Sequence, residues 1–259
     1  MPPEAEFESC TLEASTGGPH LLITAGVHGD EFAPMQAVRR LATLLSGIPL
    51  WALQLPAAAE PVTVAGLGER LARCASRVQP EGPVRLLGFC FGGLVAYEAA
   101  CCLEKAGRKV ELLVLIDAFN PAWKRSATAL ERAAAFAKMS VRRVGPHLNR
   151  LASTDWRGRL EYLRTRAGAF VNTATERPNA YRQALGAYTP SAPLCAPALL
   201  FEMDGRRLHA PLLGWQRWLT GSAKLKRIPF ETRGSLSARC APLVARGLIE
   251  EIGSPPTTS

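Results

Sequence analysis

No stretch of this chain reaches the ~18 uninterrupted apolar residues of a membrane-spanning helix. The opening residues, Met1-Pro2-Pro3-Glu4-Ala5-Glu6, have neither the basic nor the apolar region of a signal peptide. The seven cysteines are odd in number and include no C-x-x-C pair of the metal-binding kind, so a reducing cytoplasm is the simplest setting. No segment repeats, which excludes a solenoid. Histidine is scarce, with four residues and none after His209. What remains is a 259-residue chain with 47% hydrophobic content, enough to bury one good core. A single domain over residues 1–259 is expected, with a disordered tail at about 253–259.

The stretch Gly88-Phe89-Cys90-Phe91-Gly92-Gly93 organises the rest. An apolar run, Val84-Arg85-Leu86-Leu87, leads into it, and helix-forming residues, Leu94 to Ala100, follow. Strand, Gly-X-Nuc-X-Gly, helix is the pattern of a nucleophile elbow. A nucleophile on a sharp, strained turn needs neighbours without bulk, which accounts for the glycines. Its side chain then stands at a helix N-terminus, where the positive partial charge favours a thiolate. A buried structural cysteine in a strand–helix turn is the plainer alternative. Around this point the pattern predicts strands at 20–25, 49–54, 84–88, 110–116, 198–203 and 226–230. Helices are expected at 64–76 and 92–105, with another opened by Leu212-Leu213-Gly214-Trp215. Strands alternating with helices imply a parallel sheet with ligands at the strands' carboxyl ends, where Asp117 lies.

The run from Val78 to Pro83, then Leu86-Leu87-Gly88-Phe89-Cys90-Phe91-Gly92-Gly93-Leu94-Val95-Ala96-Tyr97-Glu98, resembles the thioesterase domains that end fatty acid, polyketide and nonribosomal peptide synthases. Val110 to Pro121 continues the likeness, and Ile48 to Gln54 resembles the family's second strand. The resemblance implies an α/β-hydrolase fold, of class α/β, and acyl transfer from a carrier-protein or CoA thioester. Cys90 stands where the family holds serine, and Asp117 matches the position of the triad acid. The turn Gly26 to Glu31, with His28, matches the oxyanion loop. A backbone N–H there and that of Phe91 would hold the oxyanion. No cofactor is implied for the domain itself. The acyl group would arrive on the phosphopantetheine arm of an acyl or peptidyl carrier protein.

One departure stands out. Family members carry Gly-X-His before the final helix, but here Gly234-Ser235-Leu236 puts leucine at the histidine position. A serine without a base would be nearly inert, whereas a cysteine can ionise without one. The two departures are therefore physically linked. Transfer to an amine or thiol, or an intramolecular closure, is expected to be favoured over hydrolysis, because water needs activation. His209, after the 198–203 strand and near Asp204, is the preferred replacement base, with His28 the other candidate. A degenerate hydrolase that binds acyl-carrier partners without turnover is the alternative from another class. A second resemblance competes at one place. Gly26-Val27-His28-Gly29-Asp30-Glu31 is similar to the H-x-x-E zinc motif of the succinylglutamate desuccinylase and aspartoacylase family, with His147 a further histidine. Nothing in 48–121 fits that family, so no metal is expected.

Residues 122–190 correspond to the lid in the resembled fold. From Lys124 to Arg182 there are 13 basic residues against 4 acidic, a surplus equal to the net charge of +9 carried by the whole chain. A cationic lid would steer an acidic carrier protein. A solvated basic helical face is the simpler reading. No nucleic-acid-binding motif accompanies the charge, and no membrane partner is expected.

Overall fold

The computed structural model describes residues 8–12, 21–25, 40–41, 43–45, 48, 50–54, 63–134, 180–203, 210–229 and 240–252. Its strands are β1 (Glu8–Leu12), β2 (Leu21–Ala25), β3 (Leu50–Gln54), β4 (Val84–Phe89), β5 (Val110–Ile116), β6 (Ala198–Met203) and β7 (Ala223–Ile228). The helices are α1 (Val64–Val78), α2 (Phe91–Lys105), α3 (Trp123–Ser126), α4 (Ala180–Ala187) and α5 (Cys240–Ile252), with a 3-10 turn at Pro211–Gly214.

The strands form one sheet in the order β1-β3-β2-β4-β5-β6-β7. Only β1 runs antiparallel to its neighbour. All other neighbouring pairs are parallel. Parallel strands are buried on both faces and so read as continuous apolar runs. In β5, Leu113 and Leu115 pack into one core with Leu71, Leu94 and Tyr97. Leu112, Val114 and Ile116 pack into a second, with Leu41, Val244 and Leu248. The sheet is thus covered on both sides, and the doubly apolar sequence of β5 follows from that.

The helices differ as their positions require. α1 is amphipathic: Leu67, Leu71 and Ala75 face inward, while Glu69, Arg73 and Arg77 are exposed. Thr63 caps it, its hydroxyl oxygen accepting from the Gly66 N–H at 3.0 Å. α2 is buried almost all round, from Phe91 to Leu103. It follows β4 directly, so the carboxyl end of β4 and the start of α2 meet at Cys90.

Several boundaries differ from expectation. β1 had no signal in the sequence: Glu-Ser-Cys-Thr-Leu is a short, polar edge strand. The segment likened to the family's second strand is third in the chain. The last strand ends at Ile228 rather than 230 and begins earlier, at Ala223. Its lysines obscured it, because β7 is an edge strand guarded by charge: Lys224 pairs with Glu251 at 2.9 Å and Lys226 with Glu250. The segment at Leu212 opens no α-helix. Leu212 and Leu213 take left-handed φ values of 47° and 54°, which close a 3-10 turn. The tail at 253–259 lies outside the described residues, as does most of the expected lid. No helix among the described residues is long and apolar enough to cross a membrane.

Candidate active site

Cys90 occupies the turn between β4 and α2 with φ 53° and ψ −117°. That conformation is sterically strained for any residue with a Cβ and persists only where the surroundings hold it. The holding contacts are visible. The Cys90 N–H donates to Ile116 O at 2.8 Å, and Cys90 O accepts from the Gly93 N–H at 3.1 Å. A Cβ at Gly88 would overlap Gly92 O and Gly93 Cα, and one at Gly93 would overlap Ala118 Cβ. Both glycines are therefore required by close approach. Cys90 itself is half-buried, at the edge of both cores.

The bond from Cys90 to Ile116 brings the predicted acid alongside. Asp117 follows Ile116 directly, is 1% exposed and has φ 49°. Its N–H donates to Phe201 O at 2.9 Å. Among the described residues only four non-glycines have positive φ: Cys90, Asp117, Leu212 and Leu213. Two of the four are thus the residues singled out by the sequence pattern. Phe91, the expected oxyanion donor, is buried as the first residue of α2.

His28, Glu31, His147, Asp204, His209 and Leu236 lie outside the described residues. Ala210, next after His209, is described. It is buried in a small cluster with Phe119, Trp123 and Ala127, and Phe119 is two residues past Asp117. Among the described residues no cluster of histidine, cysteine and carboxylate side chains could hold a metal ion.

Several supports of the site escaped sequence reasoning. The Trp215 indole N–H donates to Ala118 O at 2.7 Å. The Tyr188 hydroxyl donates to the buried Glu98 carboxylate at 2.7 Å, and the Ser191 N–H donates to the same oxygen at 3.1 Å. Burial raises the Tyr188 hydroxyl far above the usual phenol range, so it remains a donor at neutral pH. Burial also pushes the Cys101 thiol up to about 12 and raises that of Cys102. The two ends of the expected lid are tied together, since the Arg125 guanidinium donates to Gly186 O at 3.1 Å, to Tyr188 O and to Thr189 Oγ1 at 2.9 Å. Each of these joins residues distant in sequence, where periodicity carries no signal.

A family model described as "Thioesterase domain" matches residues 35–246. Vanchrobactin synthetase VabF of Vibrio anguillarum is 38% identical over 77 residues, covering 28% of this chain and 3% of that protein. The chain therefore spans only a few per cent of the curated relatives it matches. A four-domain nonribosomal peptide synthetase, solved with AMP and glycine bound, aligns over 95% of this chain and 20% of its own, at 22% identity and a TM-score of 0.64. The thioesterase domain described as cyclising the lipopeptide antibiotic surfactin aligns over 93% of both chains, at 20% identity and a TM-score of 0.55. The structural likeness establishes the α/β-hydrolase fold. With the family model spanning most of its length, the chain belongs to the thioesterase domain family.

Proposed function

We propose that this chain is an acyl-transfer enzyme of polyketide or nonribosomal peptide biosynthesis that works through an acyl-Cys90 intermediate. The observation that carries the reading is the strained elbow at Cys90, bonded to the residue before Asp117. The Cys90 thiolate attacks the carbonyl of a thioester borne by a carrier protein or CoA. A carbon–sulfur bond forms to Cys90, the tetrahedral oxyanion collapses, and the donor thiolate leaves and takes up a proton. One thioester replaces another, so this step is close to thermoneutral. The oxyanion is held by the Phe91 N–H and a backbone N–H of the loop at His28, each worth about 3–4 kcal/mol of barrier. An acceptor then attacks the acyl group and regenerates Cys90. Cyclisation or transfer to an amine or thiol is favoured over hydrolysis, because water needs stronger activation.

Asp117 orients and charge-stabilises the base in this scheme. His209 is assigned as that base because Ala210 packs beside Phe119, close to the acid in sequence. The single domain with a lid at about 122–190 completes the proposal.

Intact-mass spectrometry after mixing with acyl thioesters tests it. An adduct that Cys90→Ala abolishes is the expected result. Carrier binding without acylation of either protein would make the chain a binding module instead. Fast hydrolysis without any acceptor would overturn the preference for transfer.

A further inference from the structure

Two of the four left-handed non-glycine residues, Leu212 and Leu213, have no place in the chemistry above. Gly214 follows them with φ 87°, which makes three consecutive residues with left-handed φ. A strained turn of this kind persists only where its surroundings hold it. Its contacts run to the loop after Asp117. Leu213 O accepts from the Asn120 N–H at 3.0 Å, and the Trp215 Nε1–H donates to Ala118 O at 2.7 Å. The second bond adjoins the acid. Asp117 is pinned at its own N–H by Phe201 O, and the carbonyl of the next residue, Ala118, is pinned by Trp215.

The indole is itself rigidly placed. Trp215 is fully buried and lies against Tyr97 of α2, ring centroids 4.4 Å apart at an interplanar angle of 32°. The Tyr188 ring lies 6.5 Å away. Ala118 in turn presses against Gly93 in the first turn of α2. One indole thus bridges the helix that starts at Cys90 and the loop that starts at Asp117. A buried indole N–H needs some acceptor, and any carbonyl would serve. In this structure the three left-handed residues lead directly into Trp215, and the acceptor its indole meets is Ala118 O.

We propose that Trp215 is a positioning residue: its indole N–H, fixed against Tyr97, pins the Ala118 carbonyl and thereby holds the strained backbone from which the Asp117 carboxylate projects. The inference rests on the proposed roles of Cys90 and Asp117.

The test replaces Trp215 with β-(3-benzothienyl)alanine, which keeps the ring shape and removes only the N–H. Trp215→Phe is the genetically simpler companion. An octanoyl N-acetylcysteamine thioester serves as acyl donor, and the lifetime of the Cys90 adduct is followed by intact mass across pH. The analogue is expected to keep its thermal midpoint within a few degrees and to lengthen the adduct lifetime about tenfold. Its pH profile should move in the same direction as that of Asp117→Asn. Combining the two changes should add little to Asp117→Asn alone, as for groups acting through one another. An analogue with wild-type lifetime and pH profile, alongside a slowed Asp117→Asn, overturns the role of Trp215 and leaves the functional reading intact. So does full additivity of the two changes. Wild-type behaviour of Asp117→Asn, or no adduct on Cys90 in the native chain, overturns the functional reading and with it anything Trp215 would position.

Discussion

The cysteines of this chain are chemically unequal, and burial separates them. Cys101 and Cys102 lie on α2, where desolvation raises both thiols, Cys101 to about 12. A raised thiol pKa keeps the proton on sulfur until pH approaches the new value. At pH 8 the Cys101 thiol therefore keeps its proton almost entirely, whereas an ordinary thiol is about a quarter thiolate. Brief treatment with iodoacetamide at that pH should label Cys90 and the exposed Cys195 and leave Cys101 intact. Peptide mapping checks this, and denaturant should abolish the difference. Labelling of Cys101 as fast as Cys195 in the folded chain would contradict the burial. A second outcome concerns the base. If His209 activates the acceptor, His209→Ala should leave acyl-Cys90 formation largely intact and slow its breakdown by about a hundredfold, so the adduct accumulates. Time-resolved intact mass reads both steps, and unchanged breakdown would remove His209 from the scheme.

The junction of β4 and α2 places the thiol, and its tolerance for added atoms is small. A methyl group at Gly93 would overlap Ala118 Cβ, so α2 or the loop after β5 must shift. Gly93→Ala is expected to destabilise by about 1–3 kcal/mol and to impair Cys90 acylation. Denaturant midpoints and adduct yield measure the two effects, and wild-type values for both would mean that the junction relaxes freely. The return segment of the expected lid is tied to the same helix through Tyr188 and Glu98. Tyr188→Phe leaves the buried carboxylate with one donor fewer, which costs about 1–3 kcal/mol, while Glu98→Gln keeps an acceptor for the hydroxyl and should be milder. Equal losses from both variants would show that the bond contributes nothing specific. This contrast explains what was legible beforehand. Val84 to Phe89, Val110 to Ile116 and Ala198 to Met203 are buried almost throughout, so their burial is written in apolar runs that only Arg85, Glu111 and Glu202 interrupt. The glycines around Cys90 record a local steric demand and could be read directly. β1 and β7 are edges, half polar, and their signals are weak. Trp215 with Ala118, and Tyr188 with Glu98, are pairs 90 or more residues apart. A single sequence holds no local trace of such a partnership, which is why the supports of the site emerged only with the fold.

At the scale of the whole molecule the dominant feature is charge. The surplus of +9 falls within residues 124–182, and the rest of the chain is balanced at 18 basic and 18 acidic residues. Some of these cations have structural duties. Arg125 binds backbone carbonyls at the end of α4, and Arg132 donates to Ala127 O at 2.6 Å. A cation hydrogen-bonded to a carbonyl keeps its full charge, so these residues still contribute to the field. If an acidic carrier protein is the partner, that field should raise its encounter rate, and salt should remove the effect. The screening length falls from about 10 Å at 0.1 M salt to about 3 Å at 1 M, and steering of this kind is worth roughly ten- to a thousandfold in rate. Raising sodium chloride across that range should therefore lower kcat/KM for a carrier-borne thioester by about tenfold or more. The same acyl group on neutral N-acetylcysteamine should change by no more than about twofold, because a neutral donor feels little of the field. The comparison isolates steering from any general effect of salt on the elbow or on the thiolate, since in the proposed scheme both donors deliver the same acyl group to Cys90. Equal salt responses for the two donors would assign the cationic stretch to solvation alone and leave carrier recognition to shape and hydrogen bonding.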